Sequence, residues 1–304
     1  NFASNHFVYV YYTDRAAPIH NRVVRFTADG DHAAPGSAKV LMELDPINTK
    51  RFFHHVGGAI HFGADGKLYV TTGDLGLPSN SQTLKNTAGK ILRINADGTI
   101  PADNPFVRKT KGNARAIWAL GFRNPFTFAV QPGTGRIFVY DVGLSTWEEI
   151  DFLKRGANYG WPKSEGPKNG RRFTTPLAFY HHGSKPDQGD AITGGTFYDP
   201  QYNTFPASYR GQYFFGDYIN QWIHVLNPAT HAISGFATGI DARPIDLDVG
   251  PDGSLYFVGR SDHVGQSDSI YRIQYVPNQP PAIAQVPSDA LVTVGGTAPF
   301  HVSA

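Results

Sequence analysis

One short motif recurs along this chain and narrows its fold more than any other feature. A tight glycine turn hands over to a run dominated by aromatic and β-branched residues. Ala64-Asp65-Gly66-Lys67-Leu68-Tyr69-Val70 is one copy, and Gly133-Thr134-Gly135-Arg136-Ile137-Phe138-Val139 is another. Arg210-Gly211-Gln212-Tyr213-Phe214-Phe215 and Pro251-Asp252-Gly253-Ser254-Leu255-Tyr256-Phe257 repeat it, and residues 7–12 read as the strand of an earlier unit. Asp-Gly and Gly-x-Gly favour tight turns, and alternating β-branched and aromatic residues favour strands. Partner strands are predicted at residues 23–27, 90–95, 149–154, 222–226 and 270–275. A small antiparallel unit cannot bury both faces by itself, but neighbours stacked radially can. The expectation is an all-β chain folded as a β-propeller, with five units visible. A β-sandwich is the competing architecture. With 33 Gly, 22 Pro, 21 Phe and 15 Tyr, the composition suits many short strands joined by turns. No amphipathic helix stands out.

Long excursions interrupt the units at residues 79–85, 101–113 and 161–190, where a rigid β scaffold usually carries its site. Residues 1–276 form the propeller in this reading, and 277–281 a proline-rich linker. Residues 282–304, with strand-like runs at 290–294 and 299–302, read as the start of a second β domain. The opening residues run directly into a strand with no visible signal peptide, which suggests a mature or truncated chain. A net charge of +2 gives no reason to expect nucleic acid or an anionic membrane as partner. The absence of cysteine removes thiol catalysis, thiolate metal sites and disulfides, and is compatible with an oxidising compartment. No apolar stretch is long enough for a membrane span.

Four stretches carry candidate chemistry. In HHVGGAIHFGADGKLYVTTGD, His55 precedes one predicted strand and Asp74 follows the next, so an antiparallel pair brings them side by side. Two readings fit: a general base with its orienting carboxylate, or a turn histidine beside an aspartate capping a strand. In Gly121-Phe122-Arg123-Asn124-Pro125, Arg123 is either one half of an ordinary ion pair or a fixed cation facing a carboxylate, carbonyl or oxyanion. The segment from Asp141 to Asp151 offers carboxylates and loop carbonyls, as a solvated acidic turn or as ligands for a hard cation such as calcium. Ala157-Asn158-Tyr159-Gly160-Trp161-Pro162 is a blade corner or a wall on which a sugar stacks. His181-His182 has no third metal ligand placed by spacing.

Taken in order, these segments resemble the soluble quinoprotein glucose dehydrogenase, aldose sugar dehydrogenase and glucose/sorbosone dehydrogenase family. The resemblance rests on His55-x-Gly57-Gly58, FGADGKLYVTTGD, NTAGKILRINADGTIPADN, GFRNP and ANYGWP, continued by Gly194-Gly195-Thr196-Phe197-Tyr198 and Val249-Gly250-Pro251-Asp252-Gly253. It covers about residues 1–276. It implies a six-bladed β-propeller, here with an incomplete first blade, that binds pyrroloquinoline quinone (PQQ) and calcium. The tail resembles the opening of a polycystic-kidney-disease-type Ig-like domain, which in secreted bacterial proteins often follows such propellers. By the same resemblance His55 is the catalytic base, Asp74 orients it, and Arg123 with Asn124 contacts the cofactor. Gly143 and Leu144 fall where backbone carbonyls ligate calcium, Glu149 where a second calcium is held in some members, and Arg243 where a cofactor-binding arginine lies.

The implied activity is PQQ-dependent oxidation of a soluble aldose to its lactone, with an external electron acceptor, in a secreted or periplasmic protein. Three positions depart from the family pattern. Ile245 stands where a second arginine is expected, no lysine occurs in residues 218–221, and Ala59 follows the glycine pair. Fewer cations around a tricarboxylate cofactor predict weaker binding. The competing expectation is a catalytically silent propeller that binds a glycan or a protein, as in the hedgehog-interacting protein.

Overall fold

A computed structural model describes residues 2–47, 54–167, 172–261, 268–275 and 282–285. After one helical turn, Phe2–Asn5, these residues form five antiparallel four-stranded sheets. The first holds β1 (Phe7–Asp14), β2 (His20–Asp29), the two-residue β3 (His32–Ala33) and β4 (Lys39–Pro46). The second holds β5 (Ile60–Phe62), β6 (Leu68–Thr72), β7 (Lys90–Ile94) and β8 (Ile117–Leu120). The third holds β9 (Pro125–Val130), β10 (Ile137–Asp141), β11 (Trp147–Phe152) and β12 (Ala178–His181). The fourth holds β13 (Ile192–Phe197), β14 (Tyr213–Asp217), β15 (Trp222–Leu226) and β16 (Ile233–Ala237). The fifth holds β17 (Arg243–Val249), β18 (Leu255–Arg260), β19 (Ser269–Gln274) and β20 (Ala282–Gln285).

The glycine-turn motif sets this architecture. In four sheets it feeds the second strand: β6, β10, β14 and β18. Three of them, β6, β10 and β14, lie between two neighbouring sheets and are buried at every residue, whereas β18, in the last sheet, alternates between buried and more exposed residues. First strands pack on one another in succession, β5 on β9, β9 on β13 and β13 on β17. Four apolar clusters fill the spaces between consecutive sheets. Val23, Met42, Leu68 and Leu92 join the first two. Tyr69, Phe122, Phe128 and Tyr159 join the second to the third. Phe138, Tyr140, Tyr213 and Phe215 join the third to the fourth, and Tyr198, Phe214, Leu247 and Phe257 the fourth to the fifth. Each fully buried side chain of this size contributes about 1.5–3 kcal/mol, so the interfaces between sheets hold the molecule together. The sheets form a propeller with five blades, not two stacked layers.

The first sheet differs in one respect. Its β1 corresponds to the turn-fed second strand of the others, so among the described residues this sheet has no strand inside β1. The tail also differs from the domain boundary predicted at 282. Ala282–Gln285 pairs with β19, with Tyr271 opposite Gln285 and Gln274 opposite Ala282, as the last strand of the fifth sheet. An edge strand needs only one hydrogen-bonding partner, and the exposed side of β19 supplies it. The linker at 277–281 and the runs at 290–294 and 299–302 lie outside the described residues.

Candidate active site

Strand polarity brings the candidate residues together. β6 ends at Thr72 and β10 at Asp141, so the loops after them open at the same end of the propeller. There His55 and Asp74 meet, with Nδ1 of His55 2.8 Å from Oδ1 of Asp74. A carboxylate only accepts, so Nδ1 carries a proton, and in the neutral ring Nε2 keeps its lone pair. Asp74 is 1% exposed and fully engaged. Its Oδ1 also accepts from the Gly76 N–H at 2.8 Å, and its Oδ2 from the Trp161 indole N–H at 2.9 Å.

The backbone here is tightly fitted. His55 has φ +55, a left-handed conformation uncommon for a residue with a Cβ, and its carbonyl accepts from the Leu75 N–H at 3.2 Å. Gly73 lies against that carbonyl so closely that a Cβ on it would stand 2.0 Å from the oxygen. Gly57, at φ +71, would place a Cβ 2.5 Å from the Thr71 carbonyl oxygen. Gly57 and Gly73 therefore let two chain segments approach at backbone distance.

His55, Asp74, Arg123, Leu144, Trp161 and Glu165 line one cavity of about 550 Å³, a size typical of small-ligand sites. His54 also lines it and packs edge-on against the His55 ring, and burial lowers its pKa. Arg123 is anchored by Nη1 donating to the Val142 carbonyl at 2.9 Å, while its Nε is buried without a partner among the described residues. Asn124 donates its backbone N–H to Asp141, and its Oδ1 is likewise buried and unpartnered. Neither Asn124 nor Arg243 is among the residues lining this cavity. Arg243, at the start of β17, stacks its guanidinium over the Tyr218 ring 4.9 Å away.

A second constellation lies beneath the loop. Asp141 stands directly opposite Glu149 in the β10–β11 register, and Asp151 opposite Val139. Glu149 and Asp151 share a face of β11, and all three carboxylates are buried with one oxygen each within 4.8 Å of the others. Asp141 accepts from the N–H groups of Arg123 and Asn124, and Glu149 from Gly166, but neither oxygen of Asp151 has a partner among the described residues. Burial raises Asp141 to about 7 and pushes Glu149 and Asp151 up as well, reinforced by the neighbouring carboxylates. Like charges facing across a strand pair are unfavourable, so the cluster needs protons or a cation. The sequence pointed to this segment and to Glu149, but only the register selects Asp141 and Asp151 as its neighbours. Gly143 and Leu144 lie in the loop above, where their N–H groups donate to Glu148 at 3.3 Å and Glu165 at 2.5 Å. The larger omission was Trp161. An aromatic in a Tyr-Gly-Trp-Pro corner gives no sign in sequence that its N–H reaches an aspartate far away in the chain.

Comparison with known proteins places the chain among related sequences and folds. A family model described as Glucose / Sorbosone dehydrogenase matches residues 1–269. The chain is 32% identical over 309 residues to the HIPL2 protein of Arabidopsis thaliana, covering 83% of this chain and 44% of that protein. It is 28% identical over 232 residues to aldose sugar dehydrogenase YliI of Escherichia coli (strain K12), covering 71% of this chain and 59% of that one. The chain thus spans about half the length of these curated relatives. The PQQ-bound aldose sugar dehydrogenase of Streptomyces coelicolor superposes with a TM-score of 0.72 at 27% identity, covering 90% of this chain and 77% of that chain.

Proposed function

The chain belongs to the glucose/sorbosone dehydrogenase family, and from that premise we propose that it oxidises aldose sugars at the anomeric carbon with PQQ as cofactor. The observation that carries this reading is the His55–Asp74 pair at the wall of a cavity that also presents Arg123. When bound, PQQ supplies the quinone that accepts hydride from the sugar. His55 takes the proton of the anomeric hydroxyl on Nε2. Asp74 holds the ring in the required tautomer and stabilises the imidazolium that forms. Arg123 offers a guanidinium to a carboxylate or quinone oxygen, and its unpartnered Nε is consistent with a missing acceptor. Asn124 and Arg243 add cofactor contacts in this proposal. The carbonyls of Gly143 and Leu144 would hold a calcium ion, and Glu149 with Asp141 and Asp151 would hold a second. The full ring is six-bladed in this reading, electrons leave to an external acceptor, and the protein works outside the cytoplasm. The tail beyond residue 285 begins an Ig-like domain.

Ile245 and the lysine-free segment 218–221 favour weaker PQQ binding than a fully equipped site gives, and they motivate the second reading, a propeller that binds without catalysis. The two are separated by reconstituting the protein with PQQ and calcium and following dye reduction. Aldoses with a free anomeric hydroxyl should reduce the dye, and their methyl glycosides should not. Silence with every aldose would leave the binding reading.

Trp161→Phe tests the support beneath the dyad. It preserves an aromatic ring but leaves Asp74 Oδ2 without a donor in a buried place, at a cost of about 1–3 kcal/mol. Turnover should fall by roughly tenfold or more, since 1.4 kcal/mol is a factor of ten, while KM for the sugar changes little. An unchanged kcat in a folded Trp161→Phe protein, with only its melting temperature lowered, would remove this role.

A further inference from the structure

We propose that a second cavity, between the third and fourth sheets, is a saccharide-binding site separate from the His55 pocket. It has a volume of about 560 Å³ and is lined by residues of β11, β12, β15 and β16 and of the segment after β12. Trp147, Phe179 and His181 form one side, and His224, Ser234 and Gly235 the other. The two cavities share no lining residue. Leu144 and Glu165 line the His55 pocket, whereas Trp147 lines this one with its indole against Gly166, where a Cβ would stand 2.3 Å from the ring.

One exposed imidazole, His181, supplies a flat platform, and a second, His224, is buried at the floor, each held by stacking on a tryptophan. His181 stacks on Trp147 with centroids 3.5 Å apart, and His224 stacks on Trp222 at 3.6 Å and 13°. Phe179 adds a partly exposed ring, itself edge-on to Trp147. The polar complement is equally specific. His224 is 4% exposed, and its Nε2 has no hydrogen-bond partner among the described residues. Burial lowers its pKa to about 4, so near neutral pH the ring is uncharged. A buried polar atom left unpaired is costly, and a ligand hydroxyl can meet it as donor or acceptor. Asp187, Gln188 and Ser234 add further hydrogen-bonding side chains to the lining. A pyranose has this dual character, an apolar C–H face for the rings and an edge of hydroxyls for the polar groups. A flat aromatic ligand would use the platforms and leave the polar groups unanswered.

Gly235 provides a precise test. A Cβ built on it meets only the His224 ring, with Nε2 at 3.8 Å, and its backbone is not in the left-handed region. Gly235→Val should therefore fit the edge strand β16 and project methyl groups into the cavity. The experiment titrates the full chain, without PQQ, with methyl glycosides of linear glucose, mannose and xylose tetrasaccharides, read by tryptophan fluorescence and ligand NMR. At least one should bind. Gly235→Val and Phe179→Ala should each weaken binding by roughly tenfold or more, about 1.4 kcal/mol or above, while His55→Ala leaves it unchanged. Either substitution suffices if the other fails to fold. Because neither PQQ nor turnover enters the readout, the result stands whether or not the dyad is catalytic. The proposal fails if no glycoside binds, if binding survives both substitutions, if His55→Ala abolishes it, or if a naphthoquinone sulfonate occupies the cavity when no glycoside does.

Discussion

Replacing His55 with alanine should cut aldose turnover by about 10²–10⁴, the usual contribution of a positioned general base. The protein should remain folded, because the His55 side chain faces a cavity and not one of the clusters between sheets. Its backbone complicates the choice of variant, since at φ +55 an alanine carries the strain of a left-handed residue. His55→Asn removes the base and tolerates that conformation better, so both variants should lose turnover alike while only alanine loses some stability. Asp74→Asn should do less damage. Its amide oxygen can still accept from Nδ1, although the NH₂ group then faces the Trp161 N–H, a donor opposite a donor. The check is dye reduction at saturating sugar together with a melting curve for each variant. A His55→Asn protein with near-normal turnover would remove this residue from the mechanism.

The second large effect is a calcium dependence of stability that grows with pH. In the cation-free protein, burial raises the folded-state pKa of Asp141 to about 7 and raises Glu149 and Asp151. A carboxyl raised on folding contributes stability below its unfolded pKa and loses it as pH climbs through the folded value. Unfolded carboxyls titrate near 4, so the loss runs from about pH 4 to beyond pH 7. Calcium replaces the protons, and at about 100 times its Kd adds roughly 2.7 kcal/mol. The melting temperature with and without chelator should therefore nearly coincide at pH 5. At pH 8 the two should separate by roughly 5 °C or more. Asp151→Asn should stabilise the chelated protein at pH 8 and shrink the calcium response. Equal melting in calcium and chelator at pH 8 would exclude a cation at this cluster.

Much of this was legible in the sequence, because the fold is built from a local signal. Asp65-Gly66 before Leu68, and Asp252-Gly253 before Leu255, fix a turn and a strand within a few residues, and the structure starts β6 and β18 at those leucines. The His55–Asp74 approach was also readable, since it needs only that β5 and β6 be antiparallel. What could not be read depends on distant chain segments. Lys90 looks like a strand-end surface residue, yet it is fully buried, with Nζ donating to the carbonyls of Asn80 at 2.7 Å and Ala88 at 2.5 Å. Trp161 reaches Asp74 across two sheets, and Asp151 joins Asp141 only through the β10–β11 register. Ala282–Gln285 carried no mark separating an edge strand from the start of a tail, since pairing depended on the free side of β19.

The measurement that bears most directly on the central proposal is the binding of PQQ itself. The protein is equilibrated by dialysis against PQQ with calcium present, with the His55→Asn and Arg123→Met variants alongside. Saturable binding of one PQQ per chain is expected, requiring calcium and weakened at least tenfold by Arg123→Met, because a charge-assisted hydrogen bond contributes about 1.5–3 kcal/mol. Removing His55 should leave this binding largely intact while abolishing reduction of the bound quinone by aldose. No saturable binding at high micromolar PQQ by the folded protein, or binding indifferent to both calcium and Arg123, would contradict the assignment of this cavity as a quinone site.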